Sequence, residues 1–198
     1  MKKQQLEIGL QKLAPLPRQS ARLEQYATPA DIAADMLWEA FTAGDIEGRN
    51  VVDLGCGNGI FAIGAKMIGA KDVLGIDLDA EAVRVANENA DAAQLIVTFE
   101  EGDVTEIRGR FDTVLQNPPF GAQTKNADRA FIKKALELAP RAYSLHNEGT
   151  EEFVQQMVTA LGGRAIPVKK YKFEIPYAFE FHRKPVETIS VVLLRFER

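Results

Sequence analysis

The spacing of apolar positions changes along the chain, and the changes mark out its elements. Leu6, Leu10 and Leu13 recur at helical spacing and predict a first helix that stops at Pro15 and Pro17. In ATPADIAADMLWEAFTAG, Ile32, Met36, Leu37, Ala40 and Phe41 form one apolar face. Thr28 is the expected N-cap of this second helix, Pro29 its first position, and Gly44 lies just beyond its end. From residue 50 onward two kinds of segment alternate. The short apolar runs NVVDL, DVLGID, LIVTF, FDTVLQ and RAYSLH predict strands. GIFAIGAKMIGA, DAEAVRVANENADAA, DRAFIKKALELA and TEEFVQQMVTALGG predict helices. AIPVKKYKFEI and ISVVLLRFE follow one another with no helix between, so they are expected to pair antiparallel.

The early strands lack strict alternation, as in a sheet covered on both faces. The expected fold is a single α/β domain over residues 1–198, with a doubly wound, seven-stranded, mostly parallel sheet. It has helices on both faces and an antiparallel terminal strand pair. Residues 1–48 are expected as an N-terminal helical cap and 49–198 as the Rossmann-like unit.

Composition narrows the setting. The chain is 46% apolar and 26% charged, as in soluble globular proteins. No apolar run approaches the ~20 residues of a membrane span, and MKKQQLEIGLQKL lacks the apolar core of a signal peptide. Cys56 is the single cysteine, so neither an intrachain disulfide nor a cysteine metal cluster can form, and a cytoplasmic location is expected. Charge is uneven. Residues 1–22 and 164–198 each carry a net +4, around a middle of −12. Two basic ends that meet in space would suit the phosphates of a polyanion.

The candidate chemistry begins at VVDLGCGNG, residues 51–59. Gly55, Gly57 and Gly59 allow a sharp turn and close approach of backbone to a ligand. A dinucleotide fingerprint would need glycine at position 60, which is Ile60. Asp53 precedes the first glycine by two positions, and this pattern resembles the loop of class I S-adenosylmethionine-dependent methyltransferases. Asp77 ends the next strand, where an acid in doubly wound folds accepts both ribose hydroxyls. Asp103 follows the third strand, and the resemblance implies that it reads the adenine edge together with the backbone of Val104.

LQNPPFG, residues 115–121, follows the fourth strand, at the point where the sheet order reverses. A conjugated NH₂ has its lone pair delocalised. Two acceptors, one per hydrogen, favour a pyramidal nitrogen and aim the lone pair at a methyl group. The Asn117 side-chain oxygen and the Pro118 carbonyl can be those acceptors. Pro118 and Pro119 fix the backbone and offer no competing N–H, and Phe120 can lie over a flat substrate. Asn-Pro-Pro-aromatic resembles the motif of methyltransferases acting on adenine N6, cytosine N4 or glutamine amides.

Across nearly the whole chain, LEQYATPADIAADML, VVDLGCGNGIFAIGAKMIGA, DTVLQNPPFGAQTKNADRAFIKKALELA, YSLH and FHRKPVETISVVLLRF resemble the methyltransferase-like protein five family. Those are small adenine-N6 methyltransferases of small-subunit ribosomal RNA. The resemblance implies that Gln25 and Thr28 close over S-adenosylmethionine, that Gly55, Asn58, Ile60, Asp77, Asp103 and Val104 line it, and that Asn117 faces both cofactor and target. Asn58 is a departure, since some members carry Cys there. An RNA substrate gives purpose to Lys169, Lys170, Lys172, Arg183 and Lys184 as phosphate contacts, with His182 beside the target base. His146 and His182 read equally well as strand-end structural residues. The target adenine must leave its stack, so a loop or irregular helix in structured RNA is expected. QLIVTFE, residues 94–100, is expected at a sheet edge, and its apolar character invites a partner strand. The resemblance supplies a small zinc-binding activator protein as the candidate partner. A protein-glutamine N5 methyltransferase and a non-catalytic RNA-binding scaffold of the same fold are the alternatives.

Overall fold

A computed structural model of the chain describes residues 1–17, 28–119, 127–176 and 186–198. The elements run α1 (Lys3–Leu10), α2 (Ala30–Thr42), β1 (Asn50–Leu54), α3 (Ile60–Met67), β2 (Asp72–Asp77), α4 (Ala80–Ala92), β3 (Thr98–Glu101), β4 (Thr113–Gln116), α5 (Ala127–Leu138), β5 (Arg141–Asn147), α6 (Glu151–Ala160), β6 (Arg164–Pro176) and β7 (Val186–Glu197). The strands form one seven-stranded sheet in the order β3-β2-β1-β4-β5-β7-β6. The pairs from β3 to β5 are parallel, and β7 runs antiparallel to both β5 and β6.

Successive strand residues point to opposite faces, and both faces are apolar. Val51, Leu115, Leu145 and Leu193 enter one core with residues of α1 to α4. Val52, Val114, Val192 and Leu194 enter the other with residues of α5 and α6. This is why the parallel strands read as continuous apolar runs. Leu6 and Leu10 of α1 are fully or almost fully buried in the first core. Residues of α1 and α2 pack together in this first core.

Three local expectations are corrected. Thr28 does not cap α2. Pro29 occupies the N-cap position, without a side-chain cap bond, and its carbonyl accepts the Ala33 N–H at 2.9 Å. A proline preset near φ −58° and ψ 145° is already turned for helix entry, which leaves the Thr28 hydroxyl free for another use. The first helix ends at Leu10, before Leu13, which still packs half-buried on the core.

The third correction concerns the edge. β3 is an edge strand but covers only Thr98–Glu101, so most of the expected strand over 94–100 is the connection leading into it. Gln94 takes φ 56° and ends α4, with Leu95 N–H bonded to the Ala90 carbonyl at 3.0 Å. Leu95 and Val97 pack against the core, and the Phe99 ring lies so close over Gly75 that an added Cβ would come within 2.5 Å of it. The apolar run is therefore mostly spent on the protein's own core. Ile96 is the exception, 88% exposed.

Candidate functional site

The carboxyl ends of β1, β2, β3 and β4 lie side by side. Leu54 pairs with Ile76 and Gln116, and Asp77 pairs with Glu101. The segments that follow these strands hold the predicted site residues. After β1, the chain turns with positive φ at Gly55 (71°), Gly57 (53°) and Gly59 (84°), a conformation that side-chain-bearing residues adopt only at a cost. The Gly55 and Cys56 N–H groups both donate to the Ile76 carbonyl, at 2.8 and 2.9 Å. A Cβ at Gly57 would meet nothing within 4 Å, so open space lies over the turn. Ile60 opens α3 and is buried.

Asp77 holds this loop from below. Its Oδ2 accepts the Gly57 N–H at 2.8 Å and its Oδ1 the Asp79 N–H at 3.0 Å. Each oxygen retains a lone pair, so the carboxylate is fixed in orientation and can still accept a hydroxyl. Burial raises its pKa above the ordinary carboxylate value, while these backbone bonds oppose the rise. Asp53 is fully buried. Its Oδ2 accepts the Ala62 N–H at 3.0 Å, while Oδ1 has no hydrogen-bond partner among the described residues. Desolvation pushes its pKa up to about 8. Burial pushes the Cys56 thiol up as well, which makes it an inert packing residue.

Asp103 is exposed and turns the chain: its Oδ1 accepts the Thr105 N–H at 2.8 Å, which holds its carboxyl below the usual range. The next residue, Val104, is buried in the second core, which also holds Leu54 and Ile76. The Gly102 N–H donates to the Asp77 carbonyl at 2.9 Å and ties this turn to the end of β2.

After β4, the Asn117 side chain meets Thr28. Its Nδ2 donates to the Thr28 Oγ1 at 3.0 Å, and its Oδ1 is buried without a partner among the described residues. Thr28 precedes α2, 89 positions earlier, so only the fold makes this contact. Pro118 is buried and Pro119 half-buried. Behind them Gln116 Nε2 donates to Ser144 Oγ at 2.9 Å, and Ser144 Oγ bonds His146 Nε2 at 2.7 Å. His146 is buried, and desolvation lowers its pKa to about 4, so it is a neutral structural residue.

Gln25, Phe120, His182, Arg183 and Lys184 lie outside the described residues. Lys169, Lys170 and Lys172 lie on β6, at the far edge of the sheet. Three strand spacings, roughly 14 Å, separate β6 from β4. Lys169 pairs with Asp35 of α2, and Lys170 with Glu148 and Glu151, at 2.6 and 3.4 Å. Lys3 also pairs with Asp35, so the two basic ends do meet, but around an acid.

Sequence reading missed Asn89. It sits in the buried stripe of α4 with Ala82, Val85, Ala86 and Ala90, and is 4% exposed. A polar residue in an otherwise apolar stripe was the available signal. Its side chain bonds both Ala14 and the backbone of Asn58 in the glycine loop.

Residues 27–160 match the methyltransferase small domain family. The chain is 36% identical to the rRNA N(6)-adenosine-methyltransferase Mettl5 of Drosophila melanogaster, covering 100% of this chain and 97% of the relative. It is 40% identical to a solved chain from Pyrococcus horikoshii, with a TM-score of 0.92 over 100% of this chain and 98% of that one. The magnesium protoporphyrin IX methyltransferase ChlM of Synechocystis, solved with S-adenosylmethionine, shares the fold at 20% identity and a TM-score of 0.66, over 84% of this chain and 78% of that one. The full-length likeness, the sheet order and the methyltransferase domain agree: the chain is an S-adenosylmethionine-dependent methyltransferase and belongs to the methyltransferase-like protein five family.

Proposed function

We propose that the protein methylates the exocyclic N6 amine of an unstacked adenine in ribosomal RNA, in the small subunit. The observation that carries this reading is the Asn117 side chain. Its nitrogen is engaged by Thr28, which leaves the buried Oδ1, unpartnered among the described residues, as the acceptor for one amine hydrogen. The name of the Drosophila relative, an rRNA adenosine methyltransferase, supports the choice of base and nucleic acid.

The residues present fit the cofactor. Three glycines with positive φ form a turn with open space over Gly57, and Asp77 beside it keeps accepting capacity for ribose hydroxyls. Asp103 and Val104 would hold the adenine end. S-adenosylmethionine supplies a methyl group on a sulfonium, which leaves as a neutral thioether. Asn117 Oδ1 and the Pro118 carbonyl would take one amine hydrogen each and localise the nitrogen lone pair. Pro118 and Pro119 keep those acceptors from relaxing away. The work is alignment and preorganised dipoles, so no strong base is required. The β3 edge, with Ile96 exposed, is the surface for a small activator protein in this reading.

Labelled-methyl transfer to ribosomal RNA, followed by nucleoside analysis, tests the proposal. N6-methyladenosine in small-subunit RNA is expected. Label on a protein glutamine, on another base or in large-subunit RNA overturns it.

A further inference from the structure

Asn89 uses all three of its short-range bonding groups on two distant pieces of backbone. Its Oδ1 accepts the Ala14 N–H at 2.8 Å. Its Nδ2 donates to the Ala14 carbonyl at 3.1 Å and to the Asn58 carbonyl at 3.0 Å. The Asn58 Nδ2 donates to the same Ala14 carbonyl at 3.0 Å. A buried amide thus reads both polar groups of one residue of the N-terminal segment, much as a neighbouring β-strand would. The local sequence favours this. Pro15 biases Ala14 towards extended backbone, and Pro15 and Pro17 have no N–H, so Ala14 alone within 14–17, apart from Leu16, offers a donor.

We propose that Asn89 is a positioning residue that locks the N-terminal segment onto the glycine loop and thereby holds that loop ready for the cofactor. The inference rests on the reading of residues 55–60 as the cofactor loop. Asn58 lies between Gly57 and Gly59, two residues with positive φ and no side chain to anchor them. A loop so built has many alternative conformations, and ordering it on binding costs affinity. Asn89 fixes the loop backbone between the two glycines before the ligand arrives. The same segment later returns to the site at Thr28, which bonds Asn117. The N-terminal region is therefore fastened at Ala14 to the cofactor loop and at Thr28 to the proposed reacting centre.

The test measures S-adenosylhomocysteine binding by calorimetry, with amide exchange and steady-state kinetics on the full chain. Asn89→Ala should weaken binding roughly tenfold, equivalent to ~1.4 kcal/mol. The Ala14 amide should lose its protection from exchange. The KM for S-adenosylmethionine should rise while kcat at saturation stays within about twofold. Ala14→Pro, at an exposed position, removes the donor without opening the core and should weaken binding in the same direction. The double variant should bind no more weakly than Asn89→Ala alone, because both break one linkage. If Asn89→Ala lowers only the melting temperature and binds with wild-type affinity, Asn89 is mere packing and the proposal falls. Additive losses in the double variant overturn it too. If Asn89→Ala does not fold, unchanged binding by Ala14→Pro overturns it and weakened binding supports it. Wild-type protein that does not bind S-adenosylhomocysteine removes the cofactor-loop reading itself, an outcome distinct from the others.

Discussion

The chemistry proposed for Asn117 rests on a single hydrogen bond. An amide in a loop could present nitrogen or oxygen to a substrate, and the bond to Thr28 selects oxygen. Asn117→Ala is therefore expected to lower methyl transfer by roughly 10²–10³-fold. Binding of S-adenosylhomocysteine, followed by calorimetry, should remain near the wild-type value. Asp53 gives a prediction about pH. Its ordinary pKa is 3.8, and in the folded state it keeps its proton up to about 8. The folded chain therefore binds the extra proton between those values. The associated stability is fully present below about pH 4 and is lost as pH rises through 8. Asp53→Asn has no such titration, so its melting temperature should exceed the wild type at pH 8, with the gap closing towards pH 4. Thermal scans of both proteins across that range check it. His146 titrates in the opposite sense, losing stability as pH falls from 6.5 to about 4, but it does so in both proteins and cancels from the comparison.

Among the elements, α4 ends in a way that can be improved. The Gln94 N–H bonds the Asp91 carbonyl at 2.9 Å and Leu95 bonds Ala90, the closing pattern that normally places glycine at the left-handed position. Here Gln94 takes φ 56°. Gln94→Gly should stabilise the protein by about 0.5–1 kcal/mol, read as a rise of a few degrees in melting temperature. The two sheet edges are also unlike. β6 is long, carries Lys169, Lys170 and Lys172, and shifts register between Pro167 and Lys169, features that discourage pairing with another chain. β3 is short and flanked by exposed Ile96. Ile96→Asp should abolish capture of the proposed activator protein in a pull-down while leaving the melting temperature of the isolated chain unchanged. Retained capture would move the partner to another surface.

At the scale of the whole molecule, charge sums mislead. Both ends carry +4, but Lys3 and Lys169 converge on Asp35, and Lys170 is held by Glu148 and Glu151. Phosphates must compete with these acids. Lys172 is exposed on the part of β6 that continues past the end of β5, where Tyr171 pairs with Val191 opposite Asn147. Lys172→Glu is expected to weaken binding of ribosomal RNA and to reduce its salt dependence, with S-adenosylhomocysteine affinity unchanged. A filter-binding titration at several salt concentrations reads both quantities.

The sequence by itself determined the element order, the doubly wound class and the strand positions of most site residues. These follow from local signals: apolar periodicity, glycines at turns, and acids at the ends of strands. NVVDL and DVLGID are strands over the very residues that read as strands. What the tertiary structure decided are the contacts between distant parts of the chain. Thr28 carried the local signature of a helix cap, and only the approach of β4 reveals that its hydroxyl serves Asn117. Phe99 and its neighbours looked like an open apolar edge, and only the packing over Gly75 shows that they fill the core. Asn89 is a polar residue in the apolar stripe of α4, and only the return of Ala14 to the glycine loop explains it. Periodicity reports which face of an element is buried. It carries no information on which remote backbone that face will meet, and in this protein those meetings orient the amide of Asn117 and tether the glycine loop.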